Sequence, residues 1–334
     1  MNLEIPKKFN QITELAQQVA EHTFRPVSRK YDRGEHNYPV ELDMFDAILR
    51  GMEESGTGFG ASGATKDKKT NDTGEVRNGK NMQLVLNTME MCRGDAGLLL
   101  TIPGQGLGNA AIAAVANEEQ KARFGGKWAA MAITEPEAGS DSSAIRTTAR
   151  LDGDEWVING EKIFVTCGER AKVVVVWATL DRSLGKAAIK SFVVEHGTPG
   201  MRVERLERKL GIRASDTATI VFTDCRIPRS NLLGTEAIET EQSFVGAMKT
   251  FDNTRPLIAA MALGVARASL DLTTELFEKA GVKLPYTKAS LDVSAIEAEL
   301  YRLEAEYEAA RLLALKAAWM ADNGQANSLE ASMA

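Results

Sequence analysis

The stretch Met131-Ala-Ile-Thr-Glu-Pro-Glu-Ala-Gly-Ser-Asp141 decides how the chain is read, together with Ser142-Ser-Ala-Ile-Arg-Thr-Thr-Ala-Arg150 and Leu151-Asp-Gly-Asp-Glu-Trp-Val-Ile-Asn-Gly-Glu-Lys-Ile-Phe-Val-Thr-Cys-Gly-Glu-Arg170 behind it. Short β-type runs alternate with loops full of neutral hydrogen-bond donors. Thr134, Ser140, Ser142, Ser143 and Thr166 fall in loops or at strand ends, where side chains and backbone N–H groups can converge on one ligand. Such a loop suits a ligand that needs many donors and no fixed positive charge.

Outward from this stretch, the periodicity changes twice. Before Ala129 it is helical: Ile12, Leu15, Ala16, Val19 and Ala20 predict a helix from Phe9 to about Phe24, and Leu42, Phe45, Ile48 and Leu49 predict another over Val40–Met52. Helix returns at Met82–Met91 and Gln105–Phe124. The Gly-, Thr-, Asn- and Lys-rich run from Ser55 to Lys80 has no period and reads as a loop or lid. Pro103-Gly-Gln-Gly-Leu-Gly-Asn109 lacks the preceding strand and βαβ unit of a dinucleotide fold, so its small residues are read as letting two helices approach.

From Ala129 the period is two. Strands are expected at Ala129–Ile133, Ile145–Leu151, Glu155–Ile158, Lys162–Thr166, Val173–Thr179, Lys190–Glu195, Arg202–Leu206 and Ala218–Phe222, with turns at Asp152-Gly153-Asp154 and Asn159-Gly160. Val173-Val-Val-Val-Trp177 reads as a strand buried on both faces, with Trp177 in the core. After Gly234 the helical period returns, in segments Phe244–Asp252 and Leu257–Phe277 separated at Arg255-Pro256, and then in a last segment with Ile296, Leu300, Leu303, Tyr307 and Trp319 on its buried face. The expected fold is α+β and multidomain: an N-terminal helical domain over 1–128, a central antiparallel β-domain over 129–235, and a C-terminal helical bundle over 236–334.

Composition narrows the function classes. With 44% hydrophobic and 26% charged residues and a net charge of -6, the chain reads as an ordinary soluble globular protein and not as a nucleic-acid binder. The basic residues of Arg202–Arg213 are interleaved with acids and read as a solvated face. Cys92, Cys167 and Cys225 have neither disulfide-framework nor zinc spacing, which points to a reducing compartment. His22, His36 and His196 are scattered and suggest neither a metal site nor a triad. No signal peptide is read at the N-terminus and no stretch is expected to span a membrane, so a cytoplasmic location is expected.

Helix–sheet–helix order and the loop Thr134-Glu-Pro-Glu-Ala-Gly-Ser-Asp141 together resemble the flavin-dependent acyl-CoA dehydrogenase family. Further matches are Asp154-Glu-Trp-Val-Ile-Asn-Gly-Glu-Lys162, Phe164-Val-Thr166, Gly211-Ile-Arg-Ala-Ser-Asp-Thr217, Phe251-Asp-Asn-Thr-Arg-Pro256 and Ala317-Ala-Trp319. The resemblance runs over nearly the whole chain. It implies FAD lined by Met131, Ile133, Thr134, Gly139, Ser140, Phe164, Val165 and Thr166, and an acyl-CoA substrate met by Ser140, Asp252, Thr254 and Arg255. Neutral donors such as Thr134 and Thr166 suit a ring that gains negative charge on reduction, and an aromatic at 164 can pack on it.

The resemblance implies α,β-dehydrogenation of an acyl-CoA to a trans-2-enoyl-CoA, with electrons passed to an electron-transfer flavoprotein by a homodimer or homotetramer. Two departures stand out. The family's glutamate base is expected beyond residue 334, its alternative position holds Thr254, and Glu135 and Glu137 read as structural or solvent-facing. Around Gly281–Ser290, Lys279, Lys283 and Lys288 stand where many relatives place an Arg and a Phe-Gly pair against the neighbouring subunit's cofactor. These departures leave open a non-catalytic acyl-CoA-binding subunit of a hetero-oligomer, and a same-fold flavin oxidase or monooxygenase that hands electrons to oxygen is a separate alternative.

Overall fold

The computed structural model describes residues 6–44, 79–103, 106–238, 245–282, 286–287 and 292–334, without the side chains of 245–253. Phe45, Ile48, Leu49 and nearly all of the lid-like Ser55–Lys80 run lie outside the described residues, as do Lys283 and Lys288. Described residues within 6–26, 79–96 and 255–334 form one compact unit, and those within 27–44 and 97–254 form another.

The first unit is helical. Its helices are α1 (Asn10–Val19), α3 (Lys80–Gly94), the later part of α7 (Val245–Lys279), α8 (Ala295–Asp322) and α9 (Ser328–Met333). A π-turn at Ala20–Phe24 carries α1 on into α2 (Arg25–Arg33), so the first helical run is longer than its apolar pattern predicts. Ile12, Ala16 and Val19 bury the inner face of α1, which packs on α3. α7 meets α3 at Gly264, where a Cβ would lie 2.3 Å from the Met89 carbonyl oxygen, so only glycine permits this approach. The N-terminus of α3 is capped from another helix: the Asp322 carboxylate accepts from the N–H groups of Gly79 (2.6 Å), Asn81 (2.9 Å) and Met82 (3.0 Å), and from Asn81 Nδ2 (2.8 Å). These are three of the donors a helix start leaves without partners.

α7 corrects one expectation. It runs through Pro256 as one helix instead of restarting there; the lost backbone bond is outweighed where Leu257, Ala260, Met261 and Leu263 bury in the unit. Its Thr254–Lys279 segment has a mean hydropathy of 1.3 and is by length and composition alone apolar enough to cross a membrane, a property that a core helix of a soluble protein shares.

The second unit is built on a sheet whose described strands are β1 (Ala129–Ala132), β2 (Thr148–Asp152), β3 (Glu155–Thr166), β4 (Val173–Thr179), β5 (Ile189–Glu195), β6 (Met201–Leu206) and β7 (Thr217–Pro228). The order is β1-β4-β2-β3-β7-β6, with β5 also on β4. Most neighbours are antiparallel, but β1 and β2 both pair parallel with β4. Every residue of β4 is buried, Trp177 included, as its unbroken apolar run requires. Trp156 and Phe192 meet edge to face at 5.3 Å in the same core.

Asn159-Gly160 is not a turn. β3 continues through it, and the register slips by a bulge at Gly160, where a Cβ would lie 2.4 Å from Thr147 Oγ1. The glycines ahead of β1 also act differently from expectation. Gly106 and Gly108 bring α5 (Leu107–Val115) against a strand, not a helix: added Cβ atoms would lie 2.1 Å from the Ala129 carbonyl oxygen and 2.3 Å from that of Ala130. A capping box of Asn117 and Gln120 then starts α6 (Glu118–Phe124) and splits the single helix predicted over Gln105–Phe124. α4 (Ala96–Thr101) lies ahead of both.

Candidate functional site

One end of the sheet gathers the residues expected to line the cofactor. β1 ends at Ala132, and the chain that follows is tied to β3 by the Ile163 N–H, which donates to the Thr134 carbonyl at 2.9 Å. Thr134 therefore lies beside Ile163, the residue before Phe164. Glu135 and Ala138 exchange backbone bonds of 3.0 and 3.2 Å, closing a tight turn that leaves Pro136, Glu137, Gly139 and Ser140 exposed. Nothing lies within 4 Å of where a Gly139 Cβ would be, so the turn is open on that side.

The aromatic at 164 is presented by strain. A second bulge falls between Lys162 and Val165, and Phe164 takes φ 57°, a left-handed conformation that costs a non-glycine residue on the order of 1 kcal/mol. The consequence is an inverted face: Val165 is buried and the Phe164 ring is 61% exposed. Thr166 is half-buried at the strand end. Behind it Cys167 also has a left-handed φ of 58°, with its N–H on the Asp216 carbonyl (3.0 Å) and its thiol on the Leu100 carbonyl (3.1 Å). The Asp216 carboxylate accepts from Glu169 N–H at 3.0 Å and lies 3.3 Å from Arg170 Nε, fixing the backbone that leaves the strand.

A buried ion pair joins the two segments. Lys162, with a fully buried side chain, places Nζ 2.7 Å from Glu135 Oε1 and donates to the Ile133 carbonyl at 3.0 Å. The Glu135 carboxylate also accepts from Arg146 N–H (2.6 Å) and Thr147 N–H (2.9 Å). Burial pushes the Glu135 carboxyl up, but the Lys162 ammonium and the surrounding donors outweigh it and hold the group below its ordinary range. Burial pulls the Lys162 ammonium down to about 8 against the opposing attraction of Glu135. Glu135 is thus structural, as expected, and Glu137 is an exposed partner of Arg146. The Lys162 connection was not anticipated from the sequence.

The predicted cofactor residues divide by what they can offer. Ser140 and Phe164 are exposed, Thr134 and Thr166 are half-buried, and Gly139 exposes backbone. Ile133 and Val165 spend their side chains in the core, and Met131 packs partly against it, so the first two can contribute backbone alone. The resulting wall has hydroxyl donors, an outward aromatic ring and a lysine neutralised by its own carboxylate. That donor set fits a flavin ring, which takes hydrogen bonds along its polar edge and packs on its faces.

Of the predicted substrate residues, Asp252 has no described side chain, Thr254 is buried and Arg255 donates to Ser332 Oγ at 3.3 Å. Lys279 is paired with Glu275.

Comparison with known proteins bears on family and fold. Residues 130–225 match the middle domain of acyl-CoA dehydrogenases and 244–334 match their C-terminal domain. The chain is 32% identical over 346 residues to acryloyl-CoA reductase (NADH) of Anaerotignum propionicum, with 100% of this chain and 81% of that protein covered. Two solved structures each superpose with TM-score 0.82 at 29% identity, covering 100% of this chain and 84% of theirs: butyryl-CoA dehydrogenase from Megasphaera elsdenii, and a chain from work on the electron transferring flavoprotein of Acidaminococcus fermentans. By class, then, this is an FAD-dependent flavoprotein oxidoreductase. The chain belongs to the acyl-CoA dehydrogenase family.

Proposed function

We propose that the protein dehydrogenates a short acyl-CoA to its trans-2-enoyl-CoA and passes the electrons to an electron-transfer flavoprotein. The wall formed by Thr134, Phe164 and Thr166, held together by the Ile163–Thr134 bond, is the observation that carries this reading. Met131, Ile133, Gly139, Ser140 and Val165 complete it. The short chain length rests on the acryloyl- and butyryl-CoA relatives, and the electron acceptor on the relative studied with such a flavoprotein.

FAD, when bound, would supply the acceptor for a hydride from the thioester's β-carbon, while the α-proton would go to a general base that is none of the wall's residues. The chain's own part is binding and orientation. Thr134 and Thr166 would hold the polar edges of the ring through their hydroxyls, and Phe164 would cover apolar surface and exclude water from it. Ser140, exposed in the turn, is the residue of this unit that would meet the substrate, whereas Thr254 is buried. No proton transfer is assigned to Glu135, whose carboxylate is already engaged by Lys162, Arg146 and Thr147. We place the protein in the cytoplasm as a homodimer or homotetramer. Exposed Ile258, Val265, Leu272 and Leu276 recur at seven- and four-residue spacing on α7 and offer an apolar stripe to another copy.

The test is anaerobic absorbance of purified, FAD-loaded protein before and after addition of propionyl-, butyryl- and longer acyl-CoAs. Loss of the flavin band with a short acyl-CoA is expected; a band unchanged by the whole panel would overturn the reading.

A further inference from the structure

We propose that Lys162 and Glu135 are positioning residues for the flavin, a single buried node that holds the separate pieces of the wall in register. The inference rests on the site reading above and adds to it a residue pair that touches neither cofactor nor substrate.

The argument is one of connectivity. The wall comes from three segments: the end of β1 with Ile133 and Thr134, the Gly139–Ser140 turn that follows it closely, and the bulged end of β3 at Phe164–Thr166, distant from both in sequence. Lys162 belongs to the third and donates to the Ile133 carbonyl of the first. Its other partner, Glu135, opens the turn and reaches across to the Arg146 and Thr147 N–H groups that close the same loop. Removal of Lys162 leaves only the Ile163–Thr134 backbone bond as a described polar tie between the first and third segments. Removal of Glu135 frees the far end of the turn.

An ordinary stability role does not account for this placement well. Replacing a buried ion pair by apolar or neutral groups of similar size is often neutral or favourable for folding. Here the pair sits directly behind a strained residue: Phe164 holds its left-handed conformation only if the chain on both sides is fixed, and Lys162 is the fixed point on one side.

The test compares the wild-type protein with Glu135→Gln/Lys162→Met and with Glu135→Gln alone. It measures far-UV circular dichroism, melting temperature, the FAD dissociation constant and the flavin absorption bands. The double variant is expected to keep its fold while its FAD dissociation constant rises about tenfold or more, the loss set by a displaced donor, and its flavin bands to shift towards those of free FAD. Glu135→Gln keeps the packing but cannot balance the Lys162 charge, and should weaken FAD in the same direction. A folded double variant that binds FAD within about twofold of wild type, with unchanged bands, would overturn the proposal. If the double variant does not fold, Glu135→Gln decides by the same criterion. Wild-type protein that takes up no FAD would overturn the site reading as well, whereas equal uptake by wild type and variants sinks this inference alone.

Discussion

At the scale of the residue, Phe164 places stability and function in opposition. Its ring is largely exposed and its backbone is left-handed, so Phe164→Gly removes strain and little buried surface. The expected outcome is a melting temperature equal to or above wild type together with weaker FAD binding, measured by calorimetry and fluorescence titration on one preparation. A drop of several degrees would mean the ring is a core residue after all. Glu135 gives a pH prediction. Its folded carboxyl lies below the ordinary 4.5, so its contribution is complete above that value and is lost as pH falls through the folded one. Glu135→Gln should therefore flatten the acid side of the urea-unfolding profile below pH 4.5. Lys162 acts in the reverse sense: the native state sheds its proton at about 8, before the unfolded chain does, so between there and 10.5 its contribution to stability rises with pH.

Residue scale is also where the sequence was least legible. Alternation along Lys162-Ile-Phe-Val-Thr166 sets 163 and 165 on one face and 162, 164 and 166 on the other, yet Lys162 is buried and Phe164 is not. A bulge without a glycine caused this, and nothing in the residue types announces it. The Glu135–Lys162 pair was hidden for the same reason.

At the scale of the element, the pattern was read well where one residue type dominates and poorly where tertiary contacts decide. Val173–Thr179 was found end to end because five consecutive apolar residues admit few alternatives. Asn159-Gly160 has turn composition, but its strand continues because β7 pairs along both sides of it. Pro256 was likewise overruled by helix packing. Two substitutions measure such contacts. Asp322→Ala removes the cap of α3 and should cost about 2 kcal/mol in urea unfolding, near the upper end for a single cap because several donors lose their acceptor at once. Gly264→Ala should cost about 1–3 kcal/mol, since a methyl group there meets the Met89 backbone. A neutral result for either would mean that α3 or α7 can shift to compensate.

At the scale of the whole molecule, motif order settled the family and the helix–sheet–helix plan, because each motif carries a spacing as well as a composition. The mixed pairing of the sheet was not visible: parallel contacts join β4 to β1 and β2, strands separated from it in the chain by other strands, so chain order does not reveal direction. The three cysteines, read as evidence of a reducing compartment, are all buried, and burial pushes their thiols up, that of Cys225 to about 11. None should react with a thiol reagent in the native protein at pH 8, and all three should react in denaturant. Rapid native labelling of Cys167, behind Thr166, would show that the strand end opens.

β4 carries a consequence of another kind. It is walled by β1, β2 and β5 and has no residue at the surface, so solvent reaches its backbone only when the sheet itself comes apart. In deuterated buffer the amide protons of Val174 to Ala178 would then be the slowest in this unit to disappear. Their decay would time the rarest opening of the sheet, independently of any ligand at its edge.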